Sequence, residues 1–138
     1  MHTETSTVTR TPIATEEQIA QLVDRFYSRV RKDELLGPVF AQAVGDDWDA
    51  HLSKMTDFWS SVVLASRRYK GHPMMAHLLL PRLSRSHFER WLKEWRSTAA
   101  EVLGEIPAAI FVKKAEYMAE RLLAAIDTHH EYAAENHV

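Results

Sequence analysis

The stretch Asp49-Ala50-His51-Leu52-Ser53-Lys54-Met55-Thr56-Asp57-Phe58-Trp59 sets His51, Leu52, Met55, Phe58 and Trp59 at three-and-four spacing, with Ser53, Lys54 and Asp57 off that stripe. That pattern is one face of an amphipathic helix, and it puts an imidazole on the apolar side. The helix is expected to start near Asp46-Asp47, whose carboxylates suit a helix N-terminus, and to carry Trp48 and Val62 on the same inward face. Further on, Gly71-His72-Pro73-Met74-Met75-Ala76-His77 reads as a different structure, because its glycine and proline leave room for only a short helical turn. Two histidines, His51 and His77, thus bracket the apolar middle of the chain on segments of different kinds.

Outward from this centre the pattern stays helical. Thr15-Glu16-Glu17-Gln18 is a capping box, followed by Ile19, Leu22, Val23, Phe26, Tyr27 and Val30 as one buried stripe, so Tyr27 is expected to point inward. Gly37-Pro38 is expected to end or bend helical structure and to deliver Val39 and Phe40 on a corner. Ser86-His87-Phe88-Glu89 reads as a second capping box, opening a helix with Phe88, Trp91, Leu92, Trp95, Ala99, Val102 and Leu103 inward, closed by Gly104. Pro107 fits the first turn of a last helix through Ile110, Phe111, Met118, Leu122 and Ile126. No strand pattern and no internal repeat is present. The expected fold is all-α, with residues 1–14 a flexible leader, residues 15–127 the folded domain and residues 128–138 a frayed tail.

A chain of 138 residues is one ordinary domain, able to hide about 70% of its unfolded surface and to enclose a cofactor. Hydrophobic residues make up 46% and no apolar run reaches the ~20 residues of a membrane span, so a soluble, cytoplasmic protein with no membrane partner is expected. The absence of cysteine excludes disulfides, thiolate sites and covalent c-type haem attachment. A net charge of −2 supplies no field for nucleic acid, and Arg67-Arg68-Tyr69-Lys70 is too short a basic run to change that.

Several chemistries lack their residues. The chain has no Glu-x-x-His pairs for a dinuclear metal bundle, no His-Glu-x-x-His, no G-x-S-x-G and no phosphate-cradling glycine loop. A haem site asks for less sequence: one neutral imidazole, a broad apolar slot, and polar groups for a bound diatomic. Phe40, Met55, Phe58, Trp59, Tyr69 and Met74 would make such a slot, with aromatic faces and thioethers suited to a flat π-system. Eight histidines in a helical protein also give many chance pairs, so the residue types permit a haem without showing one.

Several segments, in order, resemble the group III truncated haemoglobins. The resemblance runs from about Glu17 to Ile126 and rests on Phe26-Tyr27-Ser28-Arg29-Val30-Arg31-Lys32-Asp33, Leu36-Gly37-Pro38-Val39-Phe40, Trp48-Asp49-Ala50-His51, Phe58-Trp59, the Tyr69–His77 stretch, and Phe88-Glu89-Arg90-Trp91-Leu92. The glycine pairs of the other truncated groups are missing. Ala65-Ser66-Arg67-Arg68 departs from the more glycine-rich turn of relatives, and His72 occupies a variable site.

The resemblance implies a globin-like two-over-two helical sandwich with a shortened proximal segment, holding haem b. It implies His77 as the iron ligand, Tyr27 and Trp91 as distal donors to a bound diatomic, His51 as the distal histidine at the pocket mouth, and Phe40 against the porphyrin face. The implied ligands are dioxygen, nitric oxide, carbon monoxide or cyanide, for oxygen or nitric oxide handling. An enzymatic version, a nitric oxide dioxygenase or a peroxidase-like activity, would need an unidentified reductase, since no attached flavin or nicotinamide domain is expected. A haem-free helical interaction module and a gas sensor acting through a partner protein are the other classes weighed. Arg67, Arg68, Tyr69 and Lys70 are candidates to meet the haem propionates.

Overall fold

The structure is a computed structural model in which residues 13–71 and 83–135 are described. Five α-helices are present and no strand is found among the described residues: α1 Glu16–Val30, α2 Leu36–Val44, α3 Trp48–Leu64, α4 Arg85–Leu103 and α5 Glu105–Glu135. The expected all-α two-over-two arrangement is what forms. Helix α1 pairs with α3 in one layer, α4 pairs with α5 in the other, and α1 crosses α4 to join them. The shortened proximal segment, with Met74 and His77, lies outside the described residues.

Helix α1 starts where its capping box lies. Thr15 Oγ1 accepts the Gln18 N–H at 3.0 Å and Gln18 Oε1 accepts the Thr15 N–H at 2.9 Å, which satisfies two of the free donors of a helix start. Its whole stripe, Ile19, Leu22, Val23, Phe26, Tyr27 and Val30, is buried. On the opposite layer Arg29 grips Glu101 through both guanidinium nitrogens at 2.5 and 2.9 Å and donates to Thr98 Oγ1 at 3.1 Å, fixing the rotation of α1 on α4.

Two local expectations are corrected. Gly37 and Pro38 neither end nor bend a helix; they sit in the first turn of α2. Proline lacks only an N–H that the first turn does not use, and Asp33 Oδ1 accepts the Leu35 and Leu36 N–H groups at 2.8 and 2.9 Å to cap the start. Gly37 is there because a Cβ would stand 2.9 Å from the Arg31 carbonyl oxygen. Helix α4 is capped at Ser84, two residues before the expected start at Ser86. The His87 Nδ1 accepts the Ser84 N–H at 3.1 Å, so histidine does at this end what glutamate was expected to do.

The turn after α3 is held by strain and side chains together. Ala65 and Arg67 both adopt left-handed backbone, φ 58° and 63°, where glycine is at home and other residues are not. Buried Ser60 Oγ donates to Glu16 Oε2 at 2.7 Å and lies 2.8 Å from Ser66 Oγ, while Arg68 Nη2 reaches the same Glu16 oxygen at 2.7 Å. The departure from a glycine-rich turn therefore carries a conformational cost that this knot of polar side chains offsets.

Opposite substitutions at two small residues should move stability in opposite directions. Gly37→Ala is expected to destabilise the fold by about 1–3 kcal/mol through overpacking against backbone, whereas Ala65→Gly should stabilise it by about 0.5–1 kcal/mol by relieving the left-handed cap. Urea midpoints measured side by side check both signs.

Candidate functional site

The aromatic core closes one end of the sandwich, and its surface forms the floor of a cavity at the other. Trp95, fully buried, stacks on Trp59 at 4.5 Å between centroids and on Trp91 at 5.7 Å, with Phe26 edge-on at 4.9 Å. Beyond this layer α2, α3 and α5 diverge around a space of about 550 Å³, within the range of small-molecule and cofactor sites. Phe40 from α2, Met55, Phe58 and Trp59 from α3, and Met118 and Leu122 from α5 make most of the wall apolar.

Two of the polar groups on that wall, Tyr27 and His51, are in contact. Tyr27, only 5% exposed, meets His51 edge-on at 4.9 Å and Phe40 at 5.5 Å, and His51 meets Trp48 at 5.4 Å. The His51 Nε2 is buried with no hydrogen-bond partner among the described residues. Burial, and then the charge of Lys54, holds the His51 pKa below the ordinary imidazole value, so the ring is neutral at neutral pH. Burial pushes the Tyr27 phenol the other way, upward, so its hydroxyl stays protonated and available as a donor. Trp91, whose indole N–H can only donate, is half-buried on the same wall.

Of the residues singled out from sequence, Tyr27, Phe40, His51, Met55, Phe58, Trp59, Tyr69 and Trp91 all line this one cavity. They come from α1, α2, α3, α4 and the loop after α3, so only the tertiary fold brings them together. Met74 and His77 lie outside the described residues. The chain on either side of them is on the cavity wall, however: Gly71 and Leu83 both line it, and His77 is six residues from each. Such a tether spans at most about 20 Å.

Other lining residues escaped the sequence reading of the site. Ala115, Met118, Ala119 and Leu122 of α5 face the cavity at helical spacing, a pattern that core packing alone would also produce. Lys54 lines the wall, while Arg67, Arg68 and Lys70 do not; Arg68 is taken by Glu16. Of the four candidates named for the propionates, Tyr69 alone is on the wall, where its ring meets Phe58 at 5.1 Å and its N–H is held by Ser61 Oγ at 2.9 Å.

Among the described residues His87 is the other imidazole on the wall, and its hydrogen bonding limits what it can do. Because its Nδ1 accepts a backbone N–H, the neutral ring carries its proton on Nε2. A metal-bound histidine needs the reverse, a free lone pair on one nitrogen and a donated N–H on the other. His87 in this setting is a donor.

The residues present fit a flat, largely apolar ring system with a reactive polar centre. The walls are largely aromatic, aliphatic and thioether, Tyr27, Trp91 and His87 supply donors, and beside Tyr27 the neutral imidazole of His51 buries a nitrogen unpartnered among the described residues. No helix among the described residues is long and apolar enough to cross a membrane.

Comparison with known proteins gives the same direction. The bacterial-like globin family matches residues 11–124. A group 3 truncated hemoglobin of Campylobacter jejuni is 36% identical over 107 residues, covering 75% of this chain and 84% of that protein. The crystal structure of a group III truncated hemoglobin from Campylobacter jejuni superposes with a TM-score of 0.79 at 33% identity, covering 82% of this chain and 91% of that one. With its helices stacked in that order and its family match spanning most of its length, this chain belongs to the bacterial-like globins, among the group III truncated haemoglobins.

Proposed function

We propose that the cavity holds haem b, with His77 as its iron ligand, and that the protein binds dioxygen, nitric oxide and carbon monoxide there. The observation that carries the reading is one apolar cavity with Tyr27, His51 and Trp91 on its wall and both ends of the His77 segment at its rim. Haem supplies, when bound, an iron with a coordination position open to a diatomic ligand.

The chain's own residues do the rest. Phe40, Met55, Phe58 and Trp59, with Tyr69 and Met74, sandwich the ring and keep water from it. Lys54 and His87, both on the cavity wall, would meet the propionate carboxylates, one by charge and one as an N–H donor. Tyr27 and Trp91 offer O–H and N–H groups to a ligand that gains negative charge on binding, inside a cavity where such bonds strengthen. His51, kept neutral by burial, stands at the side of Tyr27. Two donors on one ligand favour slow release, which suits oxygen or nitric oxide handling better than transport. Turnover as a nitric oxide dioxygenase or peroxidase would use the same donors with an external reductase.

Absorption spectra of the ferric, dithionite-reduced and carbon monoxide-bound protein, beside His77→Ala, test the assignment directly. Wild type is expected to take up one haem per chain and form a CO complex, and the variant to lose or grossly alter both; a wild type that binds no stoichiometric haem rejects the reading. Tyr27→Phe should raise the oxygen dissociation rate about 5- to 150-fold and the CO rate much less, because bound CO is less polar. Equal changes for the two gases would remove Tyr27 from the donor role.

The neutral His51 predicts a sign for pH as well. A folded-state pKa held below the unfolded value means the unfolded chain binds the proton first, so this group's contribution is intact above about pH 6.5 and is lost as pH falls through the lowered value. Melting temperatures from about pH 7 down to about pH 5 should therefore fall more steeply for wild type than for His51→Leu. Parallel profiles would mean that the ring titrates as freely folded as unfolded.

A further inference from the structure

A second cavity, of about 480 Å³, shares a single lining residue with the first: Tyr27. Helix α3 divides the two spaces, presenting His51 to the first and Trp48 and Leu52 to the second. The Trp48 ring backs both distal side chains, 5.4 Å from His51 and 6.0 Å from Tyr27 between centroids. Over its own ring lies the Arg31 guanidinium, 4.4 Å from the centroid, at the point where α1 ends. Arg31 lines the second cavity beside Trp48.

These contacts form a chain in space, Arg31 on Trp48, Trp48 on His51, His51 on Tyr27. His51 is caged by Tyr27, Phe40 and Trp48, with a buried Nε2 that no partner holds among the described residues. Among those residues it is the aromatic packing around the imidazole that keeps it in place. Tyr27 belongs to the core and is 5% exposed, whereas Phe40 and Trp48 are both half-buried, Phe40 bordering the first cavity and Trp48 the second. Trp48 is the wall of the cage on the side away from the first cavity, and Arg31 is the group pressed against it.

We propose that Arg31 and Trp48 form a latch that sets how often His51 turns aside, with the second cavity as the space into which Trp48 yields. The inference rests on the gas-binding reading for the identity of what passes, a small uncharged diatomic. Arg31 is a positioning residue: it touches no ligand and acts only through Trp48. A latch of this kind changes the rates of arrival and departure together and leaves the bound state as it was, since Arg31 lines only the second cavity.

Flash photolysis and ligand replacement on the ferrous CO complex read this directly. In Arg31→Gln the association and dissociation rates should rise by a common factor of about 2- to 5-fold, the Boltzmann factor of an exposed cation–π contact, with affinity unchanged. Arg31→Lys, which keeps the charge, should fall between. Unchanged rates, or a change in one rate with a matching change in affinity, overturn the latch. A second readout does not depend on haem: the fluorine resonance of Trp48 in protein labelled with 5-fluorotryptophan, assigned by its loss in Trp48→Phe. It should show a larger solvent isotope shift in Arg31→Gln than in wild type. Identical Trp48 resonances in the two overturn the latch with or without haem; a chain that binds no haem but shows the larger shift overturns the gas-binding reading and leaves the latch standing.

Discussion

The packing around Trp95 is the constraint on which the rest of the structure depends. Its ring lies between Trp59 of α3 and Trp91 of its own helix, with Phe26 of α1 on its edge, and its indole N–H reaches the Phe111 carbonyl of α5 at 3.4 Å. Four of the five helices therefore meet at one residue with no exposed surface. Large-to-small changes at fully buried aromatic positions cost about 3–5 kcal/mol, a large part of a domain's total of about 5–15 kcal/mol. Because Trp59 and Trp91 also line the cavity, the side chains that hold the layers together are the ones that shape the site.

This arrangement explains how a small helical domain tolerates a space of about 550 Å³ inside it. The dense packing is concentrated where α1 crosses α4, reinforced by the paired Arg29–Glu101 hydrogen bonds. Around the cavity the wall also includes half-buried apolar residues, among them Phe40, Met55, Phe58 and Met118, that would collapse or bind something. Local rules are broken at both ends of the α1–α3 pair: at the cavity His51 Nε2 is buried with no partner among the described residues, and at the far end Glu16 Oε1 is likewise unpaired among them while Ala65 and Arg67 hold left-handed backbone. The first of these lies at the site, where the surroundings impose a geometry that local preference would not choose.

Helices were the most legible part of the chain, because each signal is local. The Thr15–Gln18 capping box, the Asp47 start of α3, the Gly104 stop and Pro107 in the first turn of α5 each fall where a few neighbouring residues place them. The misreadings share a cause. Gly37-Pro38 reads as a breaker unless Asp33 is seen to cap a new helix, and Ser86-x-x-Glu89 reads as a box until His87 is seen to serve Ser84 instead. In both cases two local signals compete and the sequence does not state which backbone groups need partners.

For the site, hydrophobic spacing by itself determined that Tyr27, His51, Met55, Phe58, Trp59 and Trp91 face inward, and the ordered motifs identified the family. Only the tertiary structure decided that these side chains share a single cavity, that Met118 and Leu122 also line it, and that among the described residues Lys54 and not Arg68 is on its wall. The reason is physical: a helix stripe records that a residue leaves water, whatever it meets there. Whether it meets another helix, an empty cavity or a ring of aromatics depends on how residues far apart in the chain are brought together, and the helix period carries no information about that.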